Sequence, residues 1–275
     1  MQNIISSNDN TLNLLKTIAS SLTTQLEFPL LNGSEIVLDA PLVPVRNIMC
    51  IGKNYFDHVA EVQRAHEKGA IQSSPAAAPK ADVDVPKLPV FFTKATTAVA
   101  APGAVIQRHS TITRYLDYEA ELAVIIGKEC RDVRADEALS KVFGYTIAND
   151  VTARDVQKQH NQWFKGKSLD TTCPLGPFIA LASDFDPSAV NLKLWLNGEL
   201  KQSSNTREMI FNVPAIIESL SRGMTLLPGD IILTGTPSGV GFAAVPPRTL
   251  RPKDHIKIEI DGLGSLENTV GEENT

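Results

Sequence analysis

From Pro89 onward the chain is a succession of short apolar runs: VFFTK, AVIQ, EAELAVIIG, FGYTIAND, PFIAL, LKLWLNGELKQ, DIILTG and HIKIEIDGLGSLENTV. These runs are rich in β-branched and aromatic residues or alternate apolar with polar, and Gly, Pro, Asn or Asp bound them, which is the pattern of strands. Asn197-Gly198, flanked by apolar alternation, predicts a two-residue hairpin turn. Two segments carry a helical period, Ala135–Val142 and Val213–Arg222. The second follows Asn212, has Pro214 in its first turn and stops at Gly223, the usual order of helix start and stop signals. Strands this numerous with so few helices argue against a doubly wound parallel sheet. They predict an α+β fold built on a mixed β-sheet roll or barrel.

Upstream the pattern weakens. A helical stretch at Leu12–Leu22, a short strand at Glu35–Asp39 and the turn APLVP precede a buried strand, Arg46–Gly52, and the spacing turns helical from Asn54 toward Glu67. Gly69–Pro89 holds Ala, Pro, Ser, Lys and Asp with no apolar period, so a mobile surface insertion is expected there. The expected organisation is a small N-terminal region over 1–68, the insertion over 69–89 and the strand-rich domain over 90–275.

Charge and cysteine usage narrow the function classes. Lys plus Arg number 26 against 31 Asp plus Glu, a net charge of −5, which argues against a nucleic-acid surface. Cys50, Cys130 and Cys173 are odd in number and far apart, so neither a disulfide framework nor a CxxC metal site is expected and a reducing compartment fits. The start has no basic segment followed by an apolar one, and the most apolar stretch, Gly223 to Val245, is interrupted by Asp230 and several Gly and Pro residues. The expectation is a cytoplasmic protein with no membrane partner.

The segment Asp117-Tyr-Glu119-Ala-Glu121 runs into Leu-Ala-Val-Ile-Ile. On a strand its three carboxylates share one face, continued by Ala123 and Ile125, while Leu122, Val124 and Ile126 take the other. Carboxylates entering a core repel one another and cost desolvation, and a hard divalent cation with oxygen ligands relieves both. An edge strand with a solvated acidic face is the alternative. Asp150, at the mouth of an apolar strand, reads either as a salt-bridge partner of Arg154 or as a further metal ligand, with Arg154 and Gln157 facing a substrate anion. Lys165 and Lys167 lie beside Gly166, Trp163 and Phe164, a substrate-binding segment or a solvated basic loop. His58 and Glu61, at i and i+3 of a predicted helix, could form a general-base pair or a surface ion pair. Gly239-Val-Gly241 matches a dinucleotide pattern, but Pro246-Pro247 forbids the helix that would receive the pyrophosphate. Gly235-Thr-Pro-Ser-Gly239 reads better as a tight turn offering backbone N–H groups and the Thr236 hydroxyl to a carboxylate.

Taken in order, IGKNYFDHVAE, FFTK, DYEAELAVIIGK, GYTIANDVTARDVQ, WFKGKSLDTTCPLGP, MIF, PGDIILTGTPSGVG and IDGLGSLENTV resemble the fumarylacetoacetate hydrolase family over Arg46 to Val270. The resemblance is to its short members, described as acylpyruvases, oxaloacetate decarboxylases and 2-hydroxyhepta-2,4-diene-1,7-dioate isomerases. It implies a mixed β-roll, Mg²⁺ or Mn²⁺ held by Glu119, Glu121 and Asp150, and a homodimer. It further implies that Lys167 contacts the bound anion or enolate, that Arg154, Gln157 and Thr236 line the substrate site, and that His58 and Glu61 form a lid dyad that activates water. The expected activity is metal-dependent cleavage of a carbon–carbon bond in a 2-oxo acid, by acylpyruvate hydrolysis or oxaloacetate decarboxylation through a stabilised enolate. Isomerisation or hydration of a hydroxymuconate-type diacid and a non-catalytic metal-binding role are the alternatives. The chain departs from the short members by roughly a dozen extra residues between the His58–Glu61 pair and FFTK.

Overall fold

The computed structural model describes residues 36–67 and 83–272, with residues 13, 16 and 17. Most of the expected helix at Leu12–Leu22 and of the insertion at 69–89 lies outside the described residues. In chain order the elements are β1 (Ile48–Gly52), α1 (Phe56–Glu67), β2 (Val90–Lys94), β3 (Val99–Ala100), β4 (Val105–Ile106), β5 (Leu116–Asp117), β6 (Ala120–Ile126), α2 (Ala135–Ala138), β7 (Val142–Asn149), β8 (Thr152–Ala153), α3 (Arg154–Gln159), α4 (Phe164–Lys167), β9 (Cys173–Leu181), β10 (Asn191–Leu196), β11 (Glu199–Asn205), α5 (Val213–Ser221), β12 (Ile231–Leu233), β13 (His255–Ile260) and β14 (Gly264–Val270).

A seven-stranded sheet, ordered β2-β1-β12-β6-β7-β9-β3, faces a five-stranded sheet, ordered β11-β10-β13-β14-β4, and β5 pairs with β8 apart from both. Three neighbouring pairs are parallel, β1 with β12, β3 with β9 and β4 with β14, and the other pairs are antiparallel, so the sheets are mixed. The fold is α+β with few short helices, as the strand pattern predicts.

Strand periodicity decides which residues fill which layer. Leu122, Val124 and Ile126 of β6 join Leu192, Leu194, Ile256, Ile258 and Leu266 in the core between the sheets. Ala123 and Ile125 point the other way, into a second core with Ile48, Cys50, Ala148, Cys173 and Leu233. Helix α5 buries Val213, Ile216, Ile217 and Leu220, the i, i+3, i+4, i+7 stripe. The Asn212 side chain caps it by accepting from the Ala215 N–H at 3.0 Å, and Gly223 turns the chain away at φ +73°. Asn197 and Gly198 have φ of +53° and +81°, the double left-handed turn that this dipeptide favours between strands.

Two expected elements differ. Ile36–Asp39 forms no strand: Val37 is 96% exposed, no strand among the described residues supplies partners, and Pro41 follows without an N–H. Helical geometry beginning at Ala135 gives way to a 3₁₀ turn at Leu139–Lys141, and Val142 already pairs with Ile126, so sheet pairing claims the β-branched end of that segment.

Candidate active site

The acidic segment is interrupted between β5 and β6, and that break separates its carboxylates. Asp117, wholly buried, accepts from Arg154 Nε at 2.9 Å and from the Gly241 and Phe242 N–H groups at 2.7 and 3.0 Å. Burial raises its pKa, against the pull of Arg154. Glu119 and Glu121 turn instead toward Asp150 at the end of β7, and the three offer ligand atoms within 4.8 Å of one another. All three are buried, so the solvated acidic edge does not exist. The β6–β7 pairing sets this geometry: Glu121 pairs with Ala148, Ala120 with Asn149, and the Asp150 N–H donates to the Glu119 carbonyl at 2.8 Å. Asn149 adds its side-chain oxygen, which accepts from the Glu119 N–H at 3.0 Å.

Cations surround two of the three. Lys167 Nζ lies 2.8 Å from Glu119 Oε2 and 2.6 Å from Asp150 Oδ2, and Arg154 lies 2.7 Å from Glu119 Oε1. Burial would raise the Glu119 pKa, but Lys167 and Arg154 hold it down at about 2. Burial would likewise discharge Lys167, yet Asp150 and Glu119 raise its pKa and keep it an ammonium. Lys165 is exposed and Lys167 buried, so this segment is not simply a solvated basic loop; Gly166 permits the descent, because a Cβ there would meet the Gln157 backbone at 2.6 Å. Glu121 makes no ion pair among the described residues. It accepts the Gly235 N–H at 2.6 Å, and burial, with Asp150 and Glu119 adding to it, pushes its pKa well above the carboxylate range. A buried all-oxygen set with one member lacking a counter-charge fits a hard divalent cation.

A cavity of about 1310 Å³ opens onto Glu119, Glu121, Arg154, Gln157, Lys167, Thr236 and His58. Phe92, Trp163 and Phe242 form its apolar parts: Phe92 and Trp163 meet edge to face at 5.3 Å, Lys167 lies 5.0 Å from the Phe92 ring centre, and Arg154 lies 4.5 Å from that of Phe242. His58 and Glu61 lie on α1, with His58 Nδ1 3.5 Å from Glu61 Oε2 and with no hydrogen-bond partner among the described residues. They are no surface pair, for their side chains are 10% and 17% exposed. Both Glu61 oxygens accept the Gly239 N–H, at 3.0 and 3.1 Å.

One loop therefore holds three separate carboxylates by backbone N–H groups: Gly235 holds Glu121, Gly239 holds Glu61, and Gly241 with Phe242 holds Asp117. Gly235 and Gly239 have φ of +95° and +101°, where side chains other than glycine are strained. The expectation of a carboxylate-binding turn holds for its N–H groups. The Thr236 hydroxyl accepts from Gln202 Nε2 at 2.8 Å, and Gln202, wholly buried, ties the loop to the Ala120 N–H. Sequence reasoning missed Gln202, the Asp117–Arg154 pair and Lys94. Lys94 ends an apolar strand where a lysine could not reach water, which was a usable signal.

Fold and site together define a β-roll with a buried carboxylate cluster under a histidine-bearing helix. Residues 47–271 match the family described as "Fumarylacetoacetate (FAA) hydrolase C-terminal", and the chain belongs to that family. Among relatives, the oxaloacetate tautomerase YisK of Bacillus subtilis is 47% identical over 240 residues, covering 86% of this chain and 74% of its own. A solved fumarylacetoacetate hydrolase from Exiguobacterium antarcticum superposes with a TM-score of 0.73 at 45% identity, covering 86% of this chain and 78% of the other. A 2-hydroxyhepta-2,4-diene-1,7-dioate isomerase from Mycobacterium marinum gives 0.70 at 38% identity, covering 88% and 80%. No helix among the described residues is long and apolar enough to cross a membrane.

Proposed function

We propose that this chain is a divalent-metal-dependent enzyme that shifts a proton between carbon and oxygen of a 2-oxo diacid, interconverting its enol and keto forms. The observation that carries this reading is that His58, with Glu61 at its Nδ1, opens onto the same cavity as Glu119, Glu121, Lys167 and Arg154. The name of the Bacillus subtilis relative supports oxaloacetate as the first substrate to try.

Glu119, Glu121 and Asp150 would hold Mg²⁺ or Mn²⁺, which would supply Lewis-acid polarisation of the substrate's 2-oxo group. Arg154 and Gln157 offer hydrogen-bond donors to a carboxylate. Lys167, kept charged by its acidic neighbours, stabilises negative charge as it develops on oxygen. With Nδ1 turned to Glu61, His58 is left with Nε2 to take the proton from carbon and return it to oxygen. Phe92, Trp163 and Phe242 limit water around the enolate.

Carbon–carbon cleavage is the second reading. It shares the enolate, and His58 with Glu61 could activate water; the fumarylacetoacetate hydrolase neighbour favours it. The separating experiment is turnover of enol-oxaloacetate, an acylpyruvate and a hydroxyheptadienedioate, with Mg²⁺ or Mn²⁺ and with chelator. Metal-dependent enol–keto exchange faster than carbon–carbon cleavage supports the first reading, and cleavage as the faster reaction replaces it.

A further inference from the structure

Lys94, the last residue of β2, is wholly buried, and its Nζ lies 2.8 Å from Asp150 Oδ1 while donating to the Val151 carbonyl at 3.1 Å. It does not border the cavity, whereas Lys167, on the other oxygen of Asp150, does. Asp150 is thus shared between two lysines, Oδ1 facing Lys94 on the core side and Oδ2 facing Lys167 on the cavity side. Among the described residues Oδ1 has no hydrogen-bond partner, and Lys94 is the cation that offsets that oxygen's charge. The pairing of Lys94 with Ile48 fixes the β2 backbone from which the ammonium projects. A buried ammonium and carboxylate must meet in good geometry, because either one alone would be an uncompensated charge.

We propose that Lys94 is a positioning residue that locks the Asp150 carboxylate, so that Oδ2 is presented to a divalent ion beside Glu119 and Glu121. This rests on the metal reading given above. The rival account is that Lys94 only balances surplus negative charge, and the two accounts predict opposite signs. If Lys94 merely balances charge, removing it strengthens the attraction for a cation. If it positions Asp150, removing it weakens binding, in the range of about 10–100-fold that the loss of an outer partner of a metal ligand produces.

The test is calorimetric titration of the full chain with Mn²⁺, in the parent and in Lys94→Met. The expected result is weaker Mn²⁺ binding by about 10–100-fold with an unchanged circular dichroism spectrum. Turnover should be regained as Mn²⁺ is raised, with the substrate KM at saturating Mn²⁺ as in the parent, a recovery that general structural damage would not show. Equal or tighter binding by the variant overturns the proposal. If Lys94→Met does not fold, Lys94→Gln, which keeps a donor but no charge, is titrated instead; several-fold weaker binding supports the proposal, and parent-like or tighter binding overturns it. A parent chain that binds no Mn²⁺ overturns the metal reading and this proposal together, whereas a binding parent with an equally binding variant overturns only the role of Lys94.

Discussion

Glu119 and Glu121 sit two residues apart and face the same cavity, yet substitution should separate them. Glu119 is paired with Lys167 and Arg154, so Glu119→Gln removes a charge on which two buried cations depend. Breaking a buried pair from one side costs roughly 3–5 kcal/mol, so Glu119→Gln should lower stability in metal-free buffer as well as weaken metal binding. Glu121 makes no ion pair among the described residues and is hydrogen-bonded by Gly235, so Glu121→Gln removes an unfavourable buried charge and leaves an acceptor for that N–H. The metal-free Glu121→Gln protein should be at least as stable as the parent while its Mn²⁺ affinity falls. Urea unfolding with chelator present, alongside Mn²⁺ titration, checks both, and equal destabilisation by the two substitutions would contradict this account. The carboxylate types and their shared face were legible from alternation. That Asp117 would leave the group was not, because its partners, Gly241 and Phe242, lie more than a hundred residues away.

Helix α1 bears His58 and Glu61, and the Glu61 carboxylate is held by the Gly239 backbone N–H. Because the Gly239 N–H sets Glu61 and Glu61 faces His58, His58→Ala should cut enol–keto exchange by about 10²–10⁴-fold, the usual worth of a general base. If acylpyruvate cleavage also occurs, it should fall with it, whereas oxaloacetate decarboxylation should fall less because no base is needed there. A parallel loss in all reactions would make the pair structural. Gly239→Ala tests the anchor itself. Its φ of +101° and the collision of a Cβ with the Lys201 carbonyl should cost about 1–3 kcal/mol, read by urea unfolding, and raise KM as α1 loosens. The strands and α5 were readable because local period, turn residues and caps agreed. Ile36–Asp39 and the end of the Ala135 helix were not, because the presence or absence of a pairing partner decided them.

At the scale of the molecule Glu121 is the member of the buried cluster without a counter-charge among the described residues, and a divalent ion bound beside it should add stability. With Mn²⁺ at a hundredfold its dissociation constant, mass action alone gives about 2.7 kcal/mol. For a chain of this length that corresponds to a rise in melting temperature of about 5–10 °C. A thermal melt with and without Mn²⁺ checks it, and no shift at saturating Mn²⁺ would contradict the buried metal site. The loop from Gly235 to Phe242 has a consequence for how such a chain can diverge. Its contacts to Glu121, Glu61 and Asp117 fall at fixed intervals along one stretch of backbone, as teeth on a rack meet three separate gears. A side chain at Ser238 can be exchanged without moving the others, but adding or deleting one residue shifts every interval beyond it. New substrate preferences should therefore arise by substitution within this loop and by length change only elsewhere.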